Sequence, residues 1–261
     1  MLIDINASVG HWPFRKTYFR SCKDLLARMN KYGVDISVVS NINGIFYKDT
    51  QAANEELYQE IGSDRSFRKR FIPFAVINPI YAGWKDDIEI CRNEFAFKGI
   101  RLYPQYHDYE ITDPACIELV KQARDLGLIT AFTIRMVDSR PRSWMDLSKE
   151  WKLGDVMPII KEVPDAKYFI LNVSDGMMVK DEDELIIKKS HLLFDTSGKN
   201  ISNLGELINK FGKNKFAFGS HSPILDYLTG LLRIEALRDE EVDETVREML
   251  RSGNARSYLG I

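Results

Sequence analysis

The sequence predicts a single (β/α)8 barrel of the TIM type, and three observations support this fold class. Short apolar segments alternate with amphipathic segments along all 261 residues, as they do in α/β proteins. Eight strand–helix units fit in this length, and a TIM barrel takes about 250 residues. The predicted strands are apolar on both faces, which is typical of parallel strands covered on both sides. No linker or low-complexity segment divides the chain, so we expect one domain over residues 1–261.

Eight apolar segments are the predicted strands. The second, VDISVVS, is rich in β-branched residues, which favour extended backbone. The third contains Pro73, which weakens its assignment because proline has no backbone N–H to donate within a sheet. In chain order, the strands are predicted at Leu2–Ile5, Val34–Ser40, Phe71–Ile77, Lys98–Tyr103, Leu128–Ile134, Tyr168–Val173, Leu192–Asp195 and Lys215–Phe218.

The amphipathic segments between the strands are the predicted helices, and capping residues mark several of their ends. Ser21 and Gly33 enclose the first helix, because serine caps free N–H groups and glycine adopts the left-handed conformation. Thr50 is the predicted N-cap of the second helix, and Asp113 followed by Pro114 begins the fourth. Helices are predicted at Cys22–Tyr32, Gln51–Ile61, Lys85–Asn93, Pro114–Leu126, Asp155–Val163, Met177–Lys189, Ile201–Phe211 and Glu240–Arg251.

An open, doubly wound parallel sheet is the rival fold class. Such a sheet usually carries a glycine-rich phosphate-binding loop directly after its first strand. Here the first strand continues into NASVGHW, which contains neither a GxGxxG nor a GKS motif. The barrel is therefore the preferred prediction.

The composition is that of a globular protein. Hydrophobic residues make up 44% of the chain and charged residues 28%, which excludes a disordered chain. The 36 basic and 38 acidic residues give a formal net charge of −2, and this balance argues against nucleic-acid or membrane-surface partners, which need a basic face. Neither a signal peptide nor a membrane span is recognisable, so we expect a soluble cytoplasmic protein. Cys22, Cys91 and Cys116 form no CxxC pair and are expected to be buried as small apolar residues.

A TIM barrel builds its site at the C-terminal ends of its strands, so the residues at those predicted ends are the candidates. Imidazole is the usual acid or base near neutral pH, and guanidinium groups bind carboxylates and phosphates through paired hydrogen bonds. Three of the four histidines and three arginines fall at these ends, so the sequence predicts an anion-binding pocket with a histidine acid or base. The candidate residues are Asn6, His11, Arg101, Tyr103, His107, Arg135, Arg140, Asn172, Asp195 and His221.

Structural roles are an alternative for several of these residues. Arg135, Asp138 and Arg140 could form an ion-pair network that holds a loop. His11, in HWPF, could pack its loop over the barrel. His221 has the strongest functional case, because it follows the last strand on a GSHSP turn whose small neighbours leave space for the imidazole.

Seven segments, spread over nearly the whole chain, carry a family pattern in order. LIDINAS at Leu2–Ser8 matches an opening IDxHxH strand, and FKGIRLYP at Phe97–Pro104 matches a fourth-strand segment. Leu128–Thr133 matches the fifth strand, and FILNVSDG and FDTSG match the sixth and seventh. FGSHSP at Phe218–Pro223 matches a last strand normally written FGSDxP, and GNARSYL at Gly253–Leu259 matches a terminal signature. Together they resemble the amidohydrolase-related family, metal-dependent hydrolases of TIM-barrel fold that also include decarboxylases and hydratases.

The usual metal ligands of that family are all replaced in this chain. Its strand-5 histidine falls on Thr133 and its strand-8 aspartate on His221. A zinc site needs three or four converging histidine, cysteine or carboxylate ligands. The resemblance therefore implies a divergent member without a catalytic metal, and we expect no cofactor. The remaining family ligands are two histidines that fall on Asn6 and Ser8, and a strand-6 histidine that falls on Val173, or on Asn172 in a shifted alignment.

The resemblance implies a metal-independent hydrolase of small anionic or oxygen-rich substrates. The candidate site of this chain is similar in principle to that of the 2-pyrone-4,6-dicarboxylate lactonases, which hold a dicarboxylate with arginines and direct water with an acid/base group. In this interpretation His221 is the general base, and Arg101 and Arg135 hold the substrate anion. The supporting roles fall to His11 or His107 as general acid, to Asp195 or Asp138 as the group that orients a histidine or arginine, and to Asn6, Tyr103, Asn172 and Arg140 as substrate-binding residues.

The alternative is a barrel that has lost catalysis and binds a metabolite. The loss of every family metal ligand is what such decay would produce. Tight binding of a metabolite without turnover would distinguish it from the enzyme. In either case a small-molecule partner and a homo-oligomer are expected.

Overall fold

One eight-stranded parallel sheet forms the centre of the structure. The structure is a computed structural model that describes residues 1–137, 142–147, 151–173, 177–198 and 203–261. The strands follow one another around the sheet in the order of the sequence, and each pairs in parallel with the next. Helices lie between successive strands, so the predicted (β/α)8 barrel is confirmed.

All eight predicted strands are present, with shifted ends. The first strand continues to Val9, beyond its predicted end at Ile5. The last strand contains only Phe216 and Ala217. The strands are β1 (Ile3–Val9), β2 (Ile36–Asn41), β3 (Phe71–Val76), β4 (Gly99–Leu102), β5 (Ile129–Thr133), β6 (Tyr168–Leu171), β7 (Leu192–Asp195) and β8 (Phe216–Ala217).

The described helices surround the strands, and some depart from the predicted bounds. α3 and α5 are short additions to the predicted set, and of the segment Met177–Lys189 only Asp181–Lys189 is helical. The predicted helix Glu240–Arg251 is instead divided by a π-helical turn at Met249–Gly253. The helices are α1 (Cys22–Tyr32), α2 (Thr50–Gly62), α3 (Arg65–Arg70), α4 (Trp84–Asn93), α5 (Pro104–His107), α6 (Pro114–Asp125), α7 (Leu153–Glu162), α8 (Asp181–Lys189), α9 (Leu204–Phe211), α10 (Tyr227–Glu235), α11 (Glu244–Glu248) and α12 (Asn254–Leu259).

Helix caps follow the sequence signals at α1 but not at α2. Ser21 Oγ accepts a hydrogen bond from the Asp24 N–H, and Gly33 ends the helix with a φ of 68°. The predicted N-cap of α2, Thr50, is its first helical residue. Asp49 caps α2 instead, because its carboxylate accepts from the Gln51 N–H at 3.0 Å.

Apolar side chains from the strands pack together inside the barrel. Phe74 and Phe169 stack there with ring centroids 5.7 Å apart. Gly99 makes room for Phe74, because a Cβ at Gly99 would lie 2.5 Å from the phenylalanine ring. We call this set the lower layer: Ile3, Ile5, Val38, Phe74, Ile129, Ala131, Phe169, Leu171, Leu193 and Ala217.

A β-bulge in β1 changes which of its residues face the barrel interior. Asp4 pairs with Ser37 and Ala7 with Val39, so β1 holds one more residue than β2 over this stretch. The Asp4 carboxylate accepts a hydrogen bond from the Asn6 N–H at 2.9 Å and thereby supports the bulge. As a result, the apolar lower layer is followed on the same strand by inward polar residues, beginning with Asn6.

Backbone hydrogen bonds join the last strand to the first. The Ile5 N–H donates to the Phe218 carbonyl at 2.9 Å, and the His221 N–H donates to the Asn6 carbonyl at 2.6 Å. This junction places His221 beside β1. The following helix, α10, begins at Tyr227 with Asp226 as its N-cap, because the aspartate side chain accepts a hydrogen bond from the Leu228 N–H.

A second apolar core lies between the strands and the surrounding helices. Cys22, Cys91 and Cys116 are buried in it, as the sequence predicted. Pro73 keeps its place in β3 because it lies one residue before the pairing with β4 begins. In the described part of the chain, no helix is long and apolar enough to cross a membrane.

Candidate functional site

A cluster of polar side chains fills the barrel above the lower layer, at the C-terminal ends of the strands. Its members come from β1, β4, β5, β7 and the turn after β8. None is more than 4% exposed to solvent. We call this set the polar cluster: Asn6, Ser8, Arg101, Thr133, Asp195 and His221.

Arg101 lies at the centre of the polar cluster and is 2% exposed. Its guanidinium points across the barrel interior and donates to side chains and backbone on β1, β2 and β5. Every one of these acceptors is neutral. They are Thr133 Oγ1 at 2.8 Å from Nε, Asn6 Oδ1 at 2.6 Å from Nη2, and the Ala7 carbonyl, Ser8 Oγ and Ser40 Oγ at 3.1, 3.2 and 3.3 Å from Nη1.

Asn6 connects Arg101 to the buried carboxylate of Asp195. Its Oδ1 accepts from Arg101, so its Nδ2 is free to donate to Asp195 Oδ2 at 2.6 Å. Asp195 also accepts from the Ser197 hydroxyl and from the Asn172 N–H. A buried positive charge and a buried negative charge are therefore linked through one amide rather than paired directly.

His221 faces the same cluster from the β8 turn, with a φ of 55°. Its Nε2 lies 2.8 Å from the Met136 carbonyl and its Nδ1 lies 3.3 Å from Asn6 Oδ1. A carbonyl can only accept, so in the neutral imidazole the proton lies on Nε2. Nδ1 then carries a lone pair and faces Asn6 Oδ1, which is also an acceptor, so this contact is not a hydrogen bond in the neutral ring.

Three causes lower the pKa of His221 to about 4. Burial of the imidazole is the largest, because it disfavours the charged form, and the positive charges of Arg101 and, to a smaller extent, Arg135 act in the same direction. The Met136 carbonyl and Asp195 oppose the decrease. The ring is therefore neutral near pH 7.

Asp4 supports the cluster from below and is not among the predicted site residues. Its carboxylate accepts from Ser220 Oγ at 2.6 Å and from the Ser220 and Asn6 N–H groups at 2.9 Å. Burial raises the pKa of Asp4 to about 6, despite these hydrogen bonds. The available signal is an aspartate inside the apolar first strand, LIDIN.

Arg135 lies just beyond β5 and joins three strand ends. Its Nη2 donates to the Gly198 carbonyl at 2.9 Å, and its own carbonyl accepts from Asn172 Nδ2 at 2.7 Å. Gly198 is required at this contact, because its φ is 63° and a Cβ would lie 2.0 Å from Asn172 Oδ1. Convergence of Arg135 and Arg101 on one anion stays a prediction.

Loop side chains cover the polar cluster from the solvent side. Trp12 is the centre of this cover, with edge-to-face contacts to Phe14, Phe46 and Tyr106 at centroid distances of 5.3, 5.5 and 5.8 Å. A cavity of 10 Å³ beside Arg135 has room for about one water. We call this set the apolar cover: Trp12, Phe14, Ile42, Ile45, Val76, Tyr103, Tyr106, Met136, Val137 and Ile224.

The other predicted acid/base histidines lie away from His221. His11 is exposed, with its Nδ1 3.5 Å from Arg20 Nη1. His107 is buried on α5, where its Nε2 lies 3.1 Å from the Gly44 carbonyl and burial lowers its pKa to about 4. The structure does not bring either imidazole into the polar cluster.

Two further predicted groups have different outcomes. Tyr103 belongs to the apolar cover, and the centroid of its ring lies 5.5 Å from Arg101 Cζ. That contact places it against the cation of the polar cluster. Arg140 and Asp138 lie outside the described residues.

The polar cluster does not fit a divalent metal ion. Within the described ranges, no three histidine, cysteine, aspartate or glutamate side chains come together as such a site requires. Three positions that correspond to family ligands, Asn6, Ser8 and Thr133, instead accept hydrogen bonds from Arg101. Their oxygens are already directed at a positive charge.

Solved structures with this fold cover the whole chain. A 5-carboxyvanillate decarboxylase from Sphingomonas paucimobilis is 16% identical, with a TM-score of 0.75 over 100% of this chain and 99% of its own. A dihydroxybenzoic acid decarboxylase from Polaromonas sp. JS666, with bound manganese and the inhibitor 2-nitroresorcinol, is 13% identical, with a TM-score of 0.74 over 99% and 96%. A 4-oxalomesaconate hydratase from Rhodopseudomonas palustris is 16% identical, with a TM-score of 0.68 over 100% and 96%.

These comparisons establish the fold of the chain. No protein-family model and no curated protein sequence matches it. The structural neighbours include two decarboxylases and a hydratase. The resemblance drawn from the strand motifs is thus confirmed at the level of fold: the chain is similar to amidohydrolase-type TIM barrels along its full length.

Proposed function

We propose that this chain is an amidohydrolase-related hydrolase that acts on a small carboxylated substrate without a metal ion. The observation that carries the proposal is the polar cluster, in which Arg101, Asp195 and His221 are all buried at the C-terminal end of the barrel. Burial of charged groups costs hydration free energy that their hydrogen bonds often do not recover, so stability alone does not favour them here. Perturbed ionisable groups in such a position are typical of an active site.

His221 is the proposed general base. Its Nε2–H is held by the Met136 carbonyl, which leaves the Nδ1 lone pair to accept a proton from water. The water oxygen would attack an ester or lactone carbonyl, the acyl C–O bond would break, and the imidazolium would return its proton to the leaving oxygen. No oxidant or other co-reactant is needed for this balance.

Arg135 is the proposed partner of the substrate carboxylate. It is only partly buried, it lines a small cavity together with Tyr106 and Met136, and it is close enough to His221 to lower the pKa of that ring. Arg101 contributes positive charge from inside the cluster, where a developing oxyanion would be stabilised. Entry of a substrate requires movement of the apolar cover.

A catalytically inactive binding barrel is the second candidate. The inward hydrogen bonds of Arg101 favour it, because they occupy donors that a substrate clamp would use. Binding without turnover is the expected behaviour of such a barrel.

Hydrolysis of 2-pyrone-4,6-dicarboxylate, followed by acid release in the presence of a chelator, tests the proposal. Esters and lactones of other small carboxylic acids extend the panel. The enzyme should turn over at least one of these compounds at a rate that the chelator does not change. His221→Gln should lower kcat by at least about 100-fold, since general-base catalysis contributes that much.

His191→Gln is the matched control, because His191 is exposed at the opposite end of β7. Its kcat should equal that of the unmodified chain. Turnover that the chelator abolishes, or that survives in His221→Gln, would contradict the proposal. A compound that binds tightly and is never turned over would establish the binding barrel instead.

A further inference from the structure

We propose that Arg101 is a resident cation, which holds the place where barrels of this type bind a metal ion and excludes a divalent cation from the polar cluster. The assignment makes Arg101 a positioning residue for Asn6, Asp195 and His221. It concerns the same site as the proposed function, but its tests need no substrate. The two can therefore fail separately.

The contacts of Arg101 carry this inference. Three of the oxygens that accept its hydrogen bonds belong to Asn6, Ser8 and Thr133, which occupy the strand positions of family metal ligands. The oxygens approach from β1 and β5, on opposite sides of the barrel interior. They surround a planar group of five N–H donors as ligands surround a metal. The guanidinium thus replaces both the charge and the bonding function of an ion.

The charge distribution explains why a metal ion is excluded. Arg101 is buried and donates its hydrogen bonds to five neutral oxygens rather than to a carboxylate. Asp195 compensates it through Asn6, and Asp195 is itself bonded by Ser197 and Asn172. A second cation would lie beside the first in a setting of low dielectric constant, where like charges repel strongly.

The same charge acts on His221, whose ring contacts the amide that Arg101 holds. The charged groups that face His221 are Arg101 on β4, Arg135 after β5 and Asp195 on β7. Burial is the first cause of its lowered pKa, and Arg101 is the second. A structural arginine elsewhere in the core would not have this effect, so the imidazole reports on the cation.

The test compares Arg101→Met with Arg101→Lys. The methionine removes the charge and keeps the length of the side chain, whereas the lysine keeps the charge and loses the planar donor set. NMR titration of the His221 ring should show that the pKa of this imidazole rises by about 1 or more in Arg101→Met. It should rise less in Arg101→Lys. Equal values in both variants would overturn the proposal.

The unmodified chain supplies a second test, which stands even if Arg101→Met does not fold. Its Arg101 Nε–H should give a slowly exchanging NMR signal, because that group is buried and bonded to Thr133 Oγ1. Thr133→Val should accelerate the exchange by at least about 10-fold, since the acceptor is lost. Zinc or manganese added to the unmodified chain should leave this signal and the His221 signals unchanged. One bound zinc per chain that shifts either signal would overturn the proposal.

Discussion

The lower layer and the polar cluster are built on the same strands, a few residues apart, and are buried to the same extent. In the lower layer, Phe74 and Phe169 fill space, and each such side chain stabilises the fold by about 1.5–3 kcal/mol through removal of apolar area from water. In the polar cluster, Arg101 and Asp195 lose their hydrogen bonds to water and replace them with hydrogen bonds to specific protein groups. Packing in the first region therefore depends on volume, whereas the second depends on the identity and position of every hydrogen-bonding atom.

The largest effect is expected in the lower layer. Phe169→Ala should decrease the free energy of unfolding by about 3–5 kcal/mol, because it leaves a cavity against Phe74. Phe169→Leu is the control and should cost less than about 1.5 kcal/mol, since it nearly keeps the volume. Denaturant unfolding measures both. A loss below about 1 kcal/mol for the alanine variant would show that the lower layer is not the main stabilising region.

Asp4→Asn tests how the buried ionisable groups make the free energy of unfolding depend on pH. The pKa of Asp4 is raised from 3.8 to about 6, so its contribution to stability is present below pH 3.8 and is lost as the pH rises through 6. The pKa of His221 is lowered from 6.5 to about 4, so its contribution is present above pH 6.5 and is lost as the pH falls through 4. Relative to the unmodified chain, Asp4→Asn should gain up to about 3 kcal/mol in the free energy of unfolding between pH 4 and 7.

Denaturant unfolding at several pH values within that range measures the difference. Asp165→Asn is the control, because Asp165 is an exposed aspartate whose removal leaves the buried network intact. Its stability should run parallel to that of the unmodified chain. A parallel profile for Asp4→Asn would show that Asp4 is ionised without cost inside the barrel.

The smallest changes in the free energy of unfolding are expected for single acceptors of Arg101. Nε has one acceptor, whereas Nη1 has three. Thr133→Val removes the acceptor of Nε and should cost about 1.5–3 kcal/mol, because the donor is charged. Ser40→Ala removes one of three oxygens near Nη1 and should cost about 0.5 kcal/mol. Thermal or denaturant unfolding of the pair is the measurement. Equal losses would mean that the guanidinium is held by its overall charge rather than by its individual hydrogen bonds.

Local signals predicted the elements well where they depend on nearby residues. Ser21 and Gly33 mark both ends of α1, because capping involves groups within one turn of the helix. The cap of α2 was misassigned to Thr50, since Asp49 and Thr50 both carry suitable oxygens and only the backbone conformation selects between them. His221, Asn6 and Arg101 were expected at one end of the barrel because parallel strands bring their C-terminal ends together.

The sequence by itself determined the barrel, its strand order and the end at which polar side chains gather, because apolar periodicity and strand succession are properties of the chain. Only the tertiary structure decided what those side chains bind. The bulge at Asp4–Ala7 turns Asn6 inward, and Arg101 finds its acceptors on strands 32 to 95 residues away. Such partners depend on the register of several strands at once, and hydrogen bonds of 2.6–3.3 Å form only when that register is set.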